Sequence, residues 1–280
     1  MKIRNIISTI FLFFAAMSFA QNTINVMSFN IRLGSVDDGE NHWNIRKDKV
    51  KSLINYYEAD FVGLQEAQKP QIDYLLEKNM LYSYLGKPRD NGENSEHSCI
   101  FYLKNKYKVL EQNTFWLSET PNQSTKSWDA AYPRIVTYAL FENRKTKQKV
   151  WVMNTHFDHV GVVARQKSAE IILNKIKELQ AKKKAPVVLT GDFNSLKSDV
   201  WMHPFFENLQ EASSNSKTEP YGGLATWNAF NFKEKPTEQI DFIFTSKNNT
   251  VINKFRTITD FYDFKYPSDH LPIIAEIKLQ

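Results

Sequence analysis

Residues Val187–Ser195 read VVLTGDFNS, and the rest of the chain is best interpreted outward from this stretch. Four apolar or β-branched residues, Val187–Thr190, stand between a proline and a glycine, which predicts a short buried strand. Asp192 and Asn194 follow where that strand ends. The pair is typical of a turn, because both side chains bond nearby backbone groups. In α/β sandwiches, however, ligands bind at the carboxyl ends of strands.

The first 20 residues differ from the rest of the chain. Lys2 and Arg4 precede an apolar run, and Ser18–Ala20 supplies small residues of the kind that a signal peptidase reads. We therefore expect an export signal at residues 1–20 and one domain at residues 21–280. No cysteine follows the apolar run, which argues against a lipoprotein anchor. The expected location is the periplasm or the medium, without stable membrane insertion.

The net charge and the cysteine content limit the kinds of substrate and of structural stabilisation that the protein can have. The net charge of +5 suits an anionic substrate but falls short of a nucleic-acid-binding signature. The single cysteine, Cys99, excludes an internal disulfide, so the protein relies on its hydrophobic core. Nothing in the sequence implies a protein partner, and we expect a monomer.

Polar residues recur at the ends of the expected strands. The strands that matter here are Thr23–Ile31, Asp60–Gln65, Lys149–Thr155, Val187–Thr190, Gln239–Thr245 and Leu271–Leu279. The polar residues at or just past a strand end, or in the loop before a strand, are Asn30, Glu66, His156, Asp192, Asn194, Asp269 and His270. Each alone could cap a turn or a helix, but their recurrence at equivalent edges indicates a common site. The clearest helix is expected at Gly161–Lys184, and the pattern is weak from the fourth strand to about Glu238.

Asp241 lies inside an apolar strand pattern, QIDFIFT. A carboxylate buried there needs a partner, unless it points to solvent from an edge strand. An imidazole is a suitable partner, because a carboxylate fixes its tautomer and orientation, and His270 is the candidate.

The candidate ligands also indicate which metal the site would bind. Oxygen ligands without cysteine or a closely spaced histidine pair favour Mg²⁺, with Mn²⁺ as the alternative, over zinc. These residue types indicate metal-assisted hydrolysis of a phosphate ester.

Six blocks of the sequence closely resemble motifs of the endonuclease/exonuclease/phosphatase superfamily, which includes the DNase I-like nucleases. The blocks are SFN (Ser28–Asn30), LQE (Leu64–Glu66), NTHFDH (Asn154–His159), GDFNS (Gly191–Ser195), QIDFIF (Gln239–Phe244) and SDHLP (Ser268–Pro272). They occur in the family's order and span residues 28 to 272. The resemblance implies a four-layer α/β sandwich, with two packed mixed β-sheets flanked by helices. It also implies a metal-dependent phosphoric ester hydrolase.

The resemblance further implies a role for each matching position. The implied metal residues are Glu66 as the principal ligand, Asn30 beside it and Asp269 nearby. The implied catalytic residues are Asp192 to orient or deprotonate the attacking water, Asn194 to bind the scissile phosphate, His156 to contact that phosphate, and His270 held by Asp241.

Four further residues are candidates for substrate binding. Arg134 could reach a phosphate from a strand start, although a surface salt bridge explains it equally well. Asp158 and His159 extend one of the blocks and are expected to line the site. Trp227 could stack on a sugar, base or inositol ring, and core packing or loop anchoring is the alternative.

The sequence therefore predicts an exported Mg²⁺-dependent phosphoesterase with two open substrate classes. One is nucleic acid, cleaved by a nuclease-type diesterase, and the other is a small phosphorylated sugar, inositol or headgroup. The modest charge favours a compact substrate, because tracking a polyanion needs a broad basic groove. A catalytically inactive module that binds a phosphate ligand on the same fold is the remaining alternative. An intact set of His270, Asp241, Asp192 and Glu66 argues against it, because a binding module needs no general base.

Overall fold

The structure is a computed structural model that describes residues 22–77 and 81–280. The expected export signal lies outside the described residues. The helices are α1 (Trp43–Tyr57), α2 (Lys69–Leu76), α3 (Val162–Lys182) and α4 (His203–Asn208). The strands are β1 (Thr23–Asn30), β2 (Phe61–Gln68), β3 (Tyr82–Leu85), β4 (Glu96–Leu103), β5 (Tyr107–Trp116), β6 (Ile135–Asn143), β7 (Lys149–His156), β8 (Val187–Asp192), β9 (Leu209–Glu211), β10 (Asp241–Ser246), β11 (Thr250–Thr257) and β12 (Ile273–Leu279). None of the helices described here combines the length and hydrophobicity that crossing a membrane requires.

The strands form two six-stranded sheets of mixed direction. Sheet I has the order β11-β12-β1-β2-β4-β3, and sheet II has the order β5-β6-β7-β8-β10-β9. Each sheet contains one parallel pair near its centre, β1 with β2 in sheet I and β7 with β8 in sheet II. Parallel strands end at the same edge of a sheet. The carboxyl ends of β1 and β2 therefore lie side by side in sheet I, and those of β7 and β8 lie side by side in sheet II.

Side-chain alternation along β7 shows how the layers are assembled. Val150 and Val152 pack into the core between the sheets, whereas Trp151 and Met153 pack on the outer face, in the apolar layer under α3 and α4. Helices α1 and α2 cover the outer face of sheet I in the same way. The four-layer α/β sandwich is therefore confirmed.

The element boundaries follow the sequence pattern where that pattern is long. The expected helix at Gly161–Lys184 is α3, and Ala169, Ile172 and Ile176 on its inner face are all buried at helical spacing. The weakly patterned segment between β8 and β10 holds α4 and β9, which the sequence did not predict. Both elements are short, so neither shows a full period of apolar residues.

Asn154 joins the two sheets through hydrogen bonds inside the core. Its Nδ2 donates to the backbone carbonyl of Leu64 in sheet I at 2.8 Å. Its Oδ1 accepts from Nε2 of Gln65 at 2.7 Å and from the hydroxyl of Thr190 at 3.0 Å. Gly63 permits this close approach, because an added Cβ would lie 2.1 Å from the Thr190 hydroxyl oxygen. This buried hydrogen-bond network fixes how the sheets sit on one another.

Candidate active site

Polar side chains replace apolar ones toward one edge of the sandwich. On β8, Val188 packs in the core between the sheets, and Asp192 ends the same face of the strand. His156 of β7 and Asp241 of β10 are the direct strand partners of Asp192. Asn30 ends β1 in sheet I and reaches Asp192 across the gap between the sheets. The strand ends therefore place these side chains in one cluster.

Glu66 joins the cluster through a β-bulge. The sequence predicts Glu66 just past a strand end, but β2 continues to Gln68 and contains it. The register between β2 and β4 shifts between Leu64 and Ala67, and Glu66 has a φ of +58°. A bulge re-aims the side chain at that position. The Glu66 carboxylate consequently accepts a hydrogen bond from Nδ2 of Asn30 at 3.1 Å.

We call the side chains at this edge the floor of the site: Asn30, Glu66, His156, Asp192, Asp241 and His270. Nδ1 of His270 lies 2.9 Å from Oδ2 of Asp241, which is the pairing that the sequence predicts. Nε2 of His270 points toward Asp192, 3.8 Å from its Oδ2. Both carboxylates and the imidazole are buried.

The charges of the floor shift one another's protonation. Burial opposes the positive charge of His270, but Asp241 and Asp192 outweigh it and raise the pKa of His270 well above its usual value. Burial, opposed by the His270 charge and reinforced by the Asp241 charge, raises the pKa of Asp192 to about 7. Near neutral pH, His270 is therefore an imidazolium, and Asp192 can gain or lose a proton.

Asn30 and Asp269 serve this cluster differently from their implied roles as metal residues. Nδ2 of Asn30 donates to Glu66 and also to Oδ2 of Asp192 at 2.9 Å, while its Oδ1 accepts from the N–H of Arg32 at 3.0 Å. Asn30 thus positions two carboxylates instead of offering its oxygen. Asp269 lines the same cleft 3.8 Å from Nε of Arg32, and within the described chain it belongs to neither cluster of converging ligand atoms.

His156 and Asn194 form a hydrogen-bonded pair at the floor. Nδ2 of Asn194 lies 3.0 Å from Nε2 of His156 and also donates to the backbone carbonyl of Phe157 at 3.0 Å. Asn194 has a φ of +45°, a conformation that asparagine tolerates well. Burial and the nearby Arg134 charge lower the pKa of His156 well below its usual value, so His156 is neutral. Asn194 lines the cleft, and its amide nitrogen contacts His156 and the Phe157 carbonyl.

Asp158 does not line the cleft, contrary to the expectation from the sequence. It is 1% exposed, and its two oxygens accept hydrogen bonds from the backbone of two loops. Oδ2 accepts from Ala131 and Tyr132 at 3.1 and 3.2 Å, and Oδ1 accepts from Val160 and Gly161 at 3.0 and 2.7 Å. Burial alone would raise the pKa of Asp158, but these bonds lower it to about 2. Asp158 therefore fixes the loops that carry the side wall of the cleft.

That side wall consists of Arg89, Tyr132, Arg134 and His159, which we call the arginine wall. Nη2 of Arg134 lies 3.1 Å from Nδ1 of His159. Tyr132 stacks on His159 with ring centroids 5.9 Å apart, and the Arg89 guanidinium lies 4.6 Å from the Tyr132 centroid. Glu96 pairs with Nη2 of Arg89 at 2.8 Å. The structure therefore places Arg134 and His159 on the cleft, as the sequence predicts.

The floor and the arginine wall enclose a cleft of about 630 Å³. Trp227 lies on another side of it and is 42% exposed, which excludes core packing for this residue. The cleft is thus lined by carboxylates, imidazoles and guanidinium groups. Such a set binds an anion and activates water beside it.

A model described as the endonuclease/exonuclease/phosphatase family matches residues 27–270. The chain belongs to this family. A mannosyl-6-phosphatase from Bacteroides thetaiotaomicron VPI-5482 is 32% identical over 91% of this chain and 99% of that chain, with a TM-score of 0.86. A family protein from Bacteroides vulgatus is 34% identical over 92% of this chain and 99% of that one, with a TM-score of 0.85. The 3′-5′-exoribonuclease subunit Ccr4 of Candida glabrata is 24% identical over 83% of this chain, which spans only 33% of that protein's length.

Members of the endonuclease/exonuclease/phosphatase family hydrolyse phosphoric esters and typically use a divalent metal. The chain is accordingly a phosphoric ester hydrolase. Its residues fit such a metal, because ligand atoms of Glu66, His156 and Asp192 lie within 4.8 Å of one another. Two carboxylates supply the oxygen ligands that hard cations prefer, and the imidazole also suits Mn²⁺. A cation there would offset the buried charge that raises the pKa of Asp192.

Sequence reasoning missed part of this family's cleft. Arg89, Tyr132 and Glu238 all line it, but no motif contains them. Arg89 lies in the loop between β3 and β4, and Tyr132 lies in the loop between β5 and β6. The one available signal was the nearby Pro133-Arg134 pair, which marks the start of β6. Their convergence depends on Asp158 and on ring stacking between distant loops, and neither is visible in a local pattern.

Proposed function

We propose that this protein is an exported, Mg²⁺-dependent phosphomonoesterase that removes the phosphate from a small phosphorylated sugar. The observation that carries the proposal is the compact cleft lined by Arg89, Arg134 and the His270 imidazolium. Three cationic groups suit a terminal phosphate, which carries more charge than a diester. The mannosyl-6-phosphatase, similar over nearly the full length of both chains, supports the same substrate class.

The protonation states of the floor assign a role to each group. Asp192 lies beside the His270 imidazole in the floor, and its carboxylate accepts the proton of the water that attacks phosphorus. Nε2–H of His270 makes no hydrogen bond within the described residues, so it is free to donate to a phosphoryl oxygen. Asp241 keeps that imidazole charged and oriented. As the bond from phosphorus to the ester oxygen breaks, these fixed charges stabilise the growing negative charge.

Glu66 and Asp192 would hold the metal, with His156 beside them. A bound divalent cation acts as a Lewis acid on the phosphoryl oxygens and lowers the pKa of water. Asn30 would keep the two carboxylates at their spacing. We propose Mg²⁺ as the ion because two oxygen ligands dominate the set, and Mn²⁺ is the alternative because of the imidazole.

An exoribonuclease is the second candidate function. Its support is the similarity to the Ccr4 subunits and the exposed Trp227, on which a base could stack. An inactive phosphate-binding module is less favoured, because such a module gains nothing from a buried imidazolium beside a carboxylate with a raised pKa. We further propose that the enzyme acts outside the cytoplasm as a monomer, since every floor residue comes from one chain.

A substrate panel tests the proposal. The purified protein, with Mg²⁺ or with EDTA, is given mannose 6-phosphate, bis-p-nitrophenyl phosphate and single-stranded RNA, and released phosphate and cleaved chains are quantified. We expect chelator-sensitive phosphate release from the sugar phosphate to be the fastest reaction. Cleavage of RNA without comparable turnover of the monoester would replace the proposal with the second candidate. Hydrolysis of none of them would favour the binding module.

A further inference from the structure

Three side chains stand in a row on one side of the cleft. Trp227 forms isolated antiparallel bridges with His270 on one side and with Glu238 on the other. Residues opposite one another in an antiparallel pair project to the same face, with Cα atoms about 4.5–5.5 Å apart. His270, Trp227 and Glu238 therefore form a line about 10 Å long. All three line the same cleft. We call this line the specificity row.

The side chains of Trp227 and Glu238 have no partner among the described residues. Glu238 is exposed, and within residues 22–77 and 81–280 its carboxylate makes no hydrogen bond or ion pair. The indole of Trp227 likewise contacts no ring, cation or hydrogen-bonding group of the described chain. Their backbones are nevertheless fixed, since the N–H of Trp227 bonds the carbonyl of Glu238 at 3.2 Å. Side chains with free functional groups, carried on a fixed backbone in a cleft, are suited to a ligand.

The order of the row matches the order of groups in a phosphorylated sugar. If the phosphate binds at His270, as the proposed function has it, a ring that extends along the row lies over Trp227. The negative face of an indole attracts the polarised C–H groups of a sugar ring. A hydroxyl on the far side of that ring then reaches Glu238, whose carboxylate accepts hydrogen bonds only.

The same carboxylate disfavours a second phosphate. A nucleic acid or a sugar bisphosphate would place another negative charge beside Glu238, and Asp199 lines the same side of the cleft. Two like charges brought together in a partly enclosed site repel. The row therefore distinguishes a neutral polyhydroxylated leaving group from a polyanion.

We infer that Trp227 and Glu238 are the specificity-determining residues of this cleft, and that they select a phosphate ester whose other part is a single uncharged sugar ring. This inference rests on the proposed function and deepens it. It adds residues and a selection rule that the floor alone does not supply.

The test compares substrates that differ only at the row. We would measure kcat and KM of the Mg²⁺-loaded full chain for mannose 6-phosphate, glucose 1,6-bisphosphate and phenyl phosphate, and the affinity for mannose 6-phosphate by calorimetry. Glu238→Ala should lower the kcat/KM ratio of mannose 6-phosphate to phenyl phosphate about tenfold, through KM. It should also raise the relative rate on the bisphosphate. Trp227→Ala should raise KM for both sugar substrates, mannose 6-phosphate and glucose 1,6-bisphosphate. Trp227→Phe should bring KM most of the way back to the parent value.

Glu234→Ala is the matched control, because Glu234 is an exposed carboxylate in the same loop that does not line the cleft. Its substrate ratios should equal those of the parent protein. The inference is overturned if Glu238→Ala changes all substrates equally, or if the parent protein does not prefer mannose 6-phosphate to phenyl phosphate. Failure of the parent protein to release phosphate from either mannose 6-phosphate or phenyl phosphate would instead refute the proposed function. In that case calorimetry still tests the role of the specificity row, because Glu238→Ala must weaken the binding of mannose 6-phosphate.

Discussion

The floor and the specificity row contain similar chemical groups but hold them in opposite ways. Asp192 and His270 are 1% and 4% exposed, and each has charged or hydrogen-bonding partners within the protein. Trp227 is 42% exposed, and the carboxylate of Glu238 stands free among the described residues. Groups that bond to one another keep a fixed protonation and geometry, which suits chemistry common to all substrates. Groups without a partner in the described chain are free to contact a substrate, and this suits selection among substrates.

The largest effect is expected at His270. His270→Ala should lower kcat about 10³-fold for every phosphate ester, because it removes the cationic donor to the phosphoryl oxygen. Asp241→Asn should cost less, since an amide still orients the ring but no longer favours its charge. Steady-state kinetics and a circular dichroism spectrum of each variant are the measurements. If His270→Ala lowered activity on sugar phosphates alone, His270 would act in substrate selection, and the proposed division of roles between floor and row would be wrong.

Glu66 tests whether the floor carries the metal. Glu66→Gln should raise the Mg²⁺ concentration for half-maximal activity about 100-fold, because a neutral amide is a poorer ligand than a carboxylate. Substrate ratios should stay unchanged, in contrast to variants of the row. Titration of activity with Mg²⁺ after chelation measures the shift. An unaltered metal requirement would mean that Glu66 is not a ligand.

The pKa of Asp192 gives the floor a pH dependence that the row lacks. Protonated Asp192 neither binds a cation nor accepts a proton from water, so acid should weaken metal binding. With a pKa of about 7, the half-saturating Mg²⁺ concentration should rise roughly tenfold for each pH unit below that value. Calorimetric titration with Mg²⁺ between pH 5 and 8 checks this. A constant affinity over the range would contradict the assignment.

The smallest effect is expected at Asp158, which supports the arginine wall without touching substrate. Asp158→Ala removes acceptors of four backbone N–H groups and should cost about 2 kcal/mol of stability, lowering Tm by about 4–8 °C. KM should rise more than kcat falls, because Tyr132 and Arg134 lose their fixed positions. Thermal unfolding and steady-state kinetics measure the two effects. A raised Tm would show that the two loops keep their conformation without the hydrogen bonds to Asp158.

The sequence predicted the floor more completely than the walls, for a physical reason. Asp192 and Asp241 are strand residues, and alternation within a strand determines the face on which each one lies. Glu66 was placed near the site, but its bulge depends on a positive φ that no local pattern required. Glu238 meets Trp227 and His270 only through bridges between separate segments. Contacts of this kind arise from tertiary packing, and residue periodicity carries no information about them.

The hydrogen bonds of Asn154 have a consequence for the site above them. Glu66 belongs to sheet I and Asp192 to sheet II, so the distance between their carboxylates depends on the thickness of the sandwich. Asn154 and the missing Cβ of Gly63 set that thickness. The ionic radius that the floor accommodates is therefore determined partly in the interior. An engineer who wished to change the preferred ion could begin with a core residue that no ion ever contacts.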